Sequence, residues 1–518
     1  MPSAVTPPTP IIHTGKDGRL ADQEPEAARA IVADLAAAER AVVHFHGGLV
    51  NRAKGTALAA RLDPVYRAAE ATPAFFVWES GFLETIGHNL HEIEKEKIFK
   101  ILVKTVLKHV VGKVTATAGQ KAVGQLPFPK DPDLAIELQR LEADVPEEPY
   151  RDLEAPEDLD ESSAAERQSL ERELERDTAF QTEVRAIAAT ALPDVAAELD
   201  GSKGVLATQR KSTKTLLSPE VVRELEDDTE AGSKGLFTAA ALLVRASKVL
   251  VRSIKRLSKG RGHGVYPTVV EEILRELYVA NVGAEIWHQM KKETADTFVD
   301  DGSVKGGRLF VDTLGRLAAD GKRPQITLVG HSTGAIFILN LLRDVQRCRR
   351  DPDHPWPEDF AFENVVFLAP ACNFTLLRAA LEDHRETFRH FRMFTMLDEN
   401  EKKDNLVPLI YPRSLLYFVS GVVEREPDGS GAFDLPLVGM ERYYANAGRY
   451  PQKEEIGVAS TFLAEDDRRA VWSIADDGPG RRSSSTSHVG FDDTDPDHPE
   501  RHATMASVQH MIRYGAPG

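Results

Sequence analysis

The chain has 518 residues, 64 basic against 81 acidic side chains for a net charge of −17, and 42% apolar residues. That is enough apolar material for a large core, which excludes wholesale disorder, and the acidic balance excludes a general nucleic-acid binder, which needs surplus positive charge. Cys348 and Cys372 are the only cysteines, too few for a disulfide framework and suited to a reducing compartment.

The opening MPSAVTPPTPIIHTGKDG has no basic region followed by an apolar one, so no secretory signal is expected. No run reaches the ~18 apolar residues of a membrane span, and the expectation is a soluble, cytoplasmic protein. AVVHFHGG (41–48) and AFFVWE (74–79) are short apolar runs that end in glycine or polar residues, as buried strands do. Between them Leu58, Leu62 and Tyr66 recur at four-residue spacing, which predicts a helix. Residues 91–309 read as mostly helical. Within them, positions 131–178 carry 18 acidic and 5 basic side chains in a Pro-rich stretch, read as a solvated, mobile segment. Further on, YPTVVEEILRELYVANVGAEIWHQMKKETADTF reads as one long helix returning to the core, with Trp287 and Met290 as packing residues.

Alternation resumes after residue 320. Strands are expected at 326–329, 364–369, 391–397 and 470–475, with helices after the first and through SLLYFVSGVVE, and a last helix from about His502. Strand–helix alternation predicts an α/β fold with a largely parallel sheet flanked by helices. The expected division is residues 1–90 with 310–518 as one unit and 91–309 as a helical insertion or lid.

Gly330-His331-Ser332-Thr333-Gly334 follows the 326–329 strand and precedes a helix. This is the G-x-S-x-G arrangement in a strand–turn–helix setting: small residues on both sides let strand and helix approach while the turn presents the Ser332 hydroxyl, and the Thr333 N–H faces a developing oxyanion. His44-Phe45-His46-Gly47-Gly48-Leu49 ends an early strand, where backbone N–H groups of Gly47, Gly48 or Leu49 can supply a second oxyanion donor. His46 and His331 join these as substrate-binding candidates. His44 and His46 invite a metal reading, but no further ligand cluster accompanies them in the sequence, and neither metal nor organic cofactor is expected.

These residues resemble those of an α/β-hydrolase-fold serine hydrolase of the lipase/esterase-like kind, over about 1–90 and 310–518. The resemblance implies an acid and then a histidine after Ser332 in chain order. His488, in the polar loop SSSTSHVGFDDTD after the last strand, is the expected base; His498 lies in a Pro/Asp-rich turn, His502 is read as a helix cap, and His510 lies on the final helix. For the acid, Asp404 opens D-N-L-V-P and Asp398 directly follows the 391–397 strand, with Glu401 behind both. The implied activity is hydrolysis of a small-molecule or lipid ester; an amidase or peptidase with the same residues, or an idle scaffold of the same fold, is the rival reading.

Two basic amphipathic stretches remain. Lys97, Lys100, Lys104 and Lys108 form one helical stripe, and residues 242–261 hold Arg245, Lys248, Arg252, Lys255, Arg256, Lys259 and Arg261 with no acid. They are expected to pack apolar faces on the core, their charges solvated or paired with the 131–178 segment; peripheral membrane contact is the alternative.

Overall fold

A computed structural model describes residues 9–48, 51–78, 82–117, 176, 178, 182, 215–230, 236–278, 283–354, 356–408, 410–425, 434–495 and 501–515. Nearly all of the acidic 131–178 segment, Leu49 and His498 lie outside them. Seven strands form one parallel sheet: β1 (Ile11–Thr14), β2 (Arg40–Phe45), β3 (Thr72–Trp78), β4 (Gln325–His331), β5 (Phe362–Leu368), β6 (Phe388–Met396) and β7 (Ala470–Ser473), in the order β1-β3-β2-β4-β5-β6-β7. Six of these fall on the apolar runs read from the sequence. The short edge strand β1 was not expected, and neither was the Pro25–Ala37 helix, which has proline in its first turn.

The strand order decides where a ligand can enter. From β2 the chain steps outward to β3 on one side, while β4 pairs with the other side of β2 and leads away through β5 and β6. Right-handed crossovers then put the helices that follow β2 and β4 on opposite faces. The strand order therefore changes direction between the carboxyl ends of β2 and β4, the usual binding place in an open parallel sheet. His44 is in register with Val329 and Phe45 with Gly330, so the glycine turn after β2 and the turn after β4 emerge side by side.

Each face has its own core. One buried cluster joins Val42, Phe75, Val329, Val366 and Phe394 to the Arg52–Ala68 and Ala503–Tyr514 helices through Leu62, Tyr66, Met505 and Val508. The Arg52–Ala68 helix starts where the Asn51 side chain accepts the Lys54 N–H, satisfying one of the orphan donors of a first turn. The opposite cluster runs from Phe45, Phe76 and Phe367 through the Gly334–Arg350 helix to Leu102, Val249 and Val270. The helices between β3 and β4 thus share one continuous hydrophobic cluster with a face of the sheet.

The long helix expected before β4 is interrupted. It runs as Val265–Ile273, a wide π-type turn at Leu274–Tyr278 and, after an interval, Ala284–Asp296. Gly283 precedes this last helix with φ 94°, a conformation that L-residues avoid and that stops a helix. Trp287 and Met290 are buried, as expected.

The basic Leu236–Ser258 helix finds its acids elsewhere than expected. Arg245 and Arg252 bind Glu276, Arg245 also binds Glu224, and Arg256 lies fully buried between Glu271 and Glu272. Arg261 binds Asp434. Among the described residues no helix is long and apolar enough to cross a membrane.

Candidate functional site

The turn after β4 is held by close approach. A Cβ on Gly330 would lie 2.7 Å from the Gly334 backbone, and one on Gly334 would overlap the Phe45 carbonyl. Only glycine fits at either place, and the chain between them is forced round so that Ser332 adopts φ 53°. A non-glycine residue there stores about 1–3 kcal/mol of strain. Its N–H donates to Leu368 O at 2.8 Å, and its carbonyl accepts from Ala371 N–H at 3.1 Å. Anchored on both sides, the hydroxyl has one direction to point.

It points at His488. The Nε2 of His488 lies 3.0 Å from Ser332 Oγ, across 156 positions of sequence. His488 is the first residue of a short 3-10 turn, His488–Asp492, and is buried with Ser332. Its backbone N–H donates to Asp404 Oδ2 at 2.9 Å. Its Nδ1 has no hydrogen-bond partner among the described residues, an uncommon state for a buried ring nitrogen. Burial, and then the charge of neighbouring His331, hold the His488 imidazole well below its ordinary 6.5.

The three acid candidates separate cleanly. Asp404 reaches His488, and burial raises its carboxyl above the ordinary value while the His488 N–H opposes that rise. Asp398 accepts from the hydroxyl of buried Tyr417 at 2.5 Å and lies 3.4 Å from Lys402, so its oxygens serve Tyr417 and Lys402. Glu401 is buried against the Ser414 hydroxyl, and burial pushes its carboxyl well above the ordinary range.

On the β2 side, a Cβ on Gly47 would lie 3.2 Å from Ser332 Cβ, and one on Gly48 would overlap the Met290 sulfur. The Gly48 N–H donates to Thr333 Oγ1. Thr333 opens the Gly334–Arg350 helix, where the first backbone N–H groups have no partner within the helix. Gly47, Gly48 and Thr333 thus meet at Ser332. Its full burial shows the site closed on this side, with Met290 over the glycine turn.

His46 and His331 both turn their ring nitrogens to partners within the protein. His46 Nδ1 donates to Gly47 O, Nε2 accepts the Trp78 N–H, and the ring stacks on Trp78 at 4.0 Å. One nitrogen gives and one takes, so this ring is neutral; burial carries its pKa down to about 4. His44 binds the Tyr66 hydroxyl at 2.8 Å, and burial takes it to about 3. His331 binds Asp492 and the His488 carbonyl. Asp492 escaped the sequence reading: its only mark is its place four residues after His488, which Asp493 nearly shares. His502 occupies the start of the last helix without a side-chain capping bond, and His510 lies against Tyr514 with the rings tilted at 49°.

Elsewhere Asp312, Cys348 and His354 bring potential metal-ligating atoms within 4.8 Å of one another. The Arg308 guanidinium is inserted among them, bound to Asp312 at 2.9 Å and in contact with Cys348 and His354. The group already holds its cation. Comparison of the chain with protein-family models, curated proteins and solved structures gives no match.

Proposed function

We propose that this protein is a serine hydrolase with an α/β-hydrolase fold that cleaves an ester-like carbonyl through an acyl-enzyme. The observation that carries the reading is a strained Ser332 whose hydroxyl lies 3.0 Å from the Nε2 of a buried His488. Its support is the place of that pair at the carboxyl ends of β2 and β4, where the strand order reverses.

In this reading His488 takes the Ser332 proton as the hydroxyl attacks the carbonyl, then returns it to the leaving oxygen; water repeats the sequence on the acyl-enzyme. Asp404, already bound to the His488 backbone N–H, turns to receive the Nδ1–H, which has no partner among the described residues, and stabilises the imidazolium as it forms. The Thr333 N–H and the Gly48 N–H, the latter exchanging Thr333 Oγ1 for the new oxyanion, stabilise the tetrahedral intermediate. Met290 must yield for a substrate carbonyl to reach them.

A fluorophosphonate probe tests the proposal. Stoichiometric labelling of the native chain, lost in Ser332→Ala with an unchanged melting temperature, is the expected result. Absence of labelling in folded protein at every pH from 5 to 9 would sink it.

A further inference from the structure

We propose that His331, held as an imidazolium between Asp492 and the His488 carbonyl, is a positioning residue for the base of the proposed hydrolase. This inference rests on the reading of Ser332 and His488 given above.

The argument begins with hydrogen-bond bookkeeping. His331 Nδ1 lies 2.9 Å from Asp492 Oδ2, and His331 Nε2 lies 2.9 Å from His488 O. A carboxylate and a carbonyl only accept, so both ring nitrogens must carry hydrogen. A neutral imidazole has one N–H and would leave two acceptors facing a lone pair in a buried site. His46, a few residues away in space, shows the contrast, because its two nitrogens face one acceptor and one donor.

The surroundings fit that charge. From the Arg52–Ala68 helix, Arg61 reaches Asp492 Oδ1 at 3.4 Å and Asp493 at 2.9 Å, which keeps Asp492 ionised. Burial opposes both charges, but their mutual attraction and hydrogen bond outweigh it. Asp492 is brought down to about 2, and His331 is held above its ordinary 6.5. The other titratable neighbours, His44 and His46 on β2, are held neutral by burial. On the far side of His488 stands Asp404.

Two effects on His488 follow. The bond from His331 to its carbonyl and the bond from its N–H to Asp404 grip the residue's backbone from both sides, so the ring is aimed by atoms outside its own loop. The imidazolium also lies close to the base, with ring centroids 5.4 Å apart, and a positive neighbour disfavours a second one. His331 thus keeps the base ready to accept a proton in mildly acidic solution.

Two measurements decide this. In histidine-labelled native protein, the His331 ring signals, assigned by their loss in His331→Gln, should show protons on both nitrogens at pH 7. A neutral tautomer there overturns the proposal, and this readout needs no activity. In the second, fluorophosphonate labelling of Ser332 is followed against pH. His331→Gln should move the acidic limb upward by roughly one unit and lower the plateau rate about tenfold. Asp492→Asn, which removes the counter-charge, should shift the limb in the same direction. Superimposable profiles for native and variant proteins would overturn the positioning role while leaving the hydrolase reading intact. Failure of the native chain to label at any pH removes the hydrolase reading and the positioning role with it, whereas the ring signals still report the charge on His331.

Discussion

Two buried polar clusters in this molecule are built on different terms. Between the Leu236–Ser258 helix, the Val265–Ile273 helix and the 410–450 segment, opposite charges meet: Arg256 with Glu271 and Glu272, Arg261 with Asp434, and His263 with Glu271. Burial favours the neutral acids there, yet the surrounding cations and hydrogen bonds bring Glu271 down to about 2 and hold Asp434 lower still. Around Ser332 one ion pair, His331 with Asp492, stands beside a hydroxyl–imidazole pair, the backbone is strained, and His488 Nδ1 has no hydrogen-bond partner among the described residues. The first cluster sets cations against carboxylates and holds helices to the core, even though Arg256 Nε and Glu272 Oε2 have no hydrogen-bond partner among the described residues. The second aims one hydroxyl at an imidazole nitrogen, the arrangement on which the proposed hydrolase reading rests.

The comparison can be broken at either end. The largest effect is expected from Asp404→Asn, which removes the acceptor that a charged His488 requires; Ser332 labelling should fall on the order of 10⁴-fold. Asp398→Asn, whose carboxylate serves Tyr417 and Lys402 instead, should leave the rate within about threefold. Equal losses in both variants would show that the assignment of the acid is wrong. Next in size is Arg256→Leu, which leaves Glu271 and Glu272 buried without their shared cation. Urea unfolding should show a loss of about 3–5 kcal/mol, with Ser332 labelling retained at low temperature. A variant as stable as the native chain would remove the structural role given to this cluster.

The smallest effect sharpens the contrast through pH. His488 is held below its ordinary 6.5, so a stronger acid is needed to protonate it and the neutral base persists below pH 6.5. The labelling rate should accordingly stay near its plateau at pH 6.5 and decline only in more acidic solution. A midpoint at or above 6.5 would mean that the base is a solvated imidazole and that the burial described here does not govern it.

Parts of this architecture were legible because they are local. Six sheet strands announce themselves as apolar runs closed by glycine or polar residues, and the Gly330–Gly334 turn is written in consecutive residues whose spacing is its mechanism. The edge strand β1 was not legible, since four residues carry too little pattern to separate from a loop. The break at Gly283 was missed because apolar spacing continued across it, while the conformation of one glycine overrode the helix.

The sequence by itself determined the strand–helix alternation, the strained turn and the presence of a suitable histidine downstream, all of which depend on neighbours in the chain. Only the tertiary structure decided that Asp404 rather than Asp398 meets His488, that His46 and His331 turn inward, that Asp492 belongs to the site, and that Arg256 answers Glu271 and Glu272. Carboxylates a few residues apart look alike in a sequence. What distinguishes them is which segment each one meets, and that is set by packing between parts distant in the chain, 84 positions for Asp404 and His488.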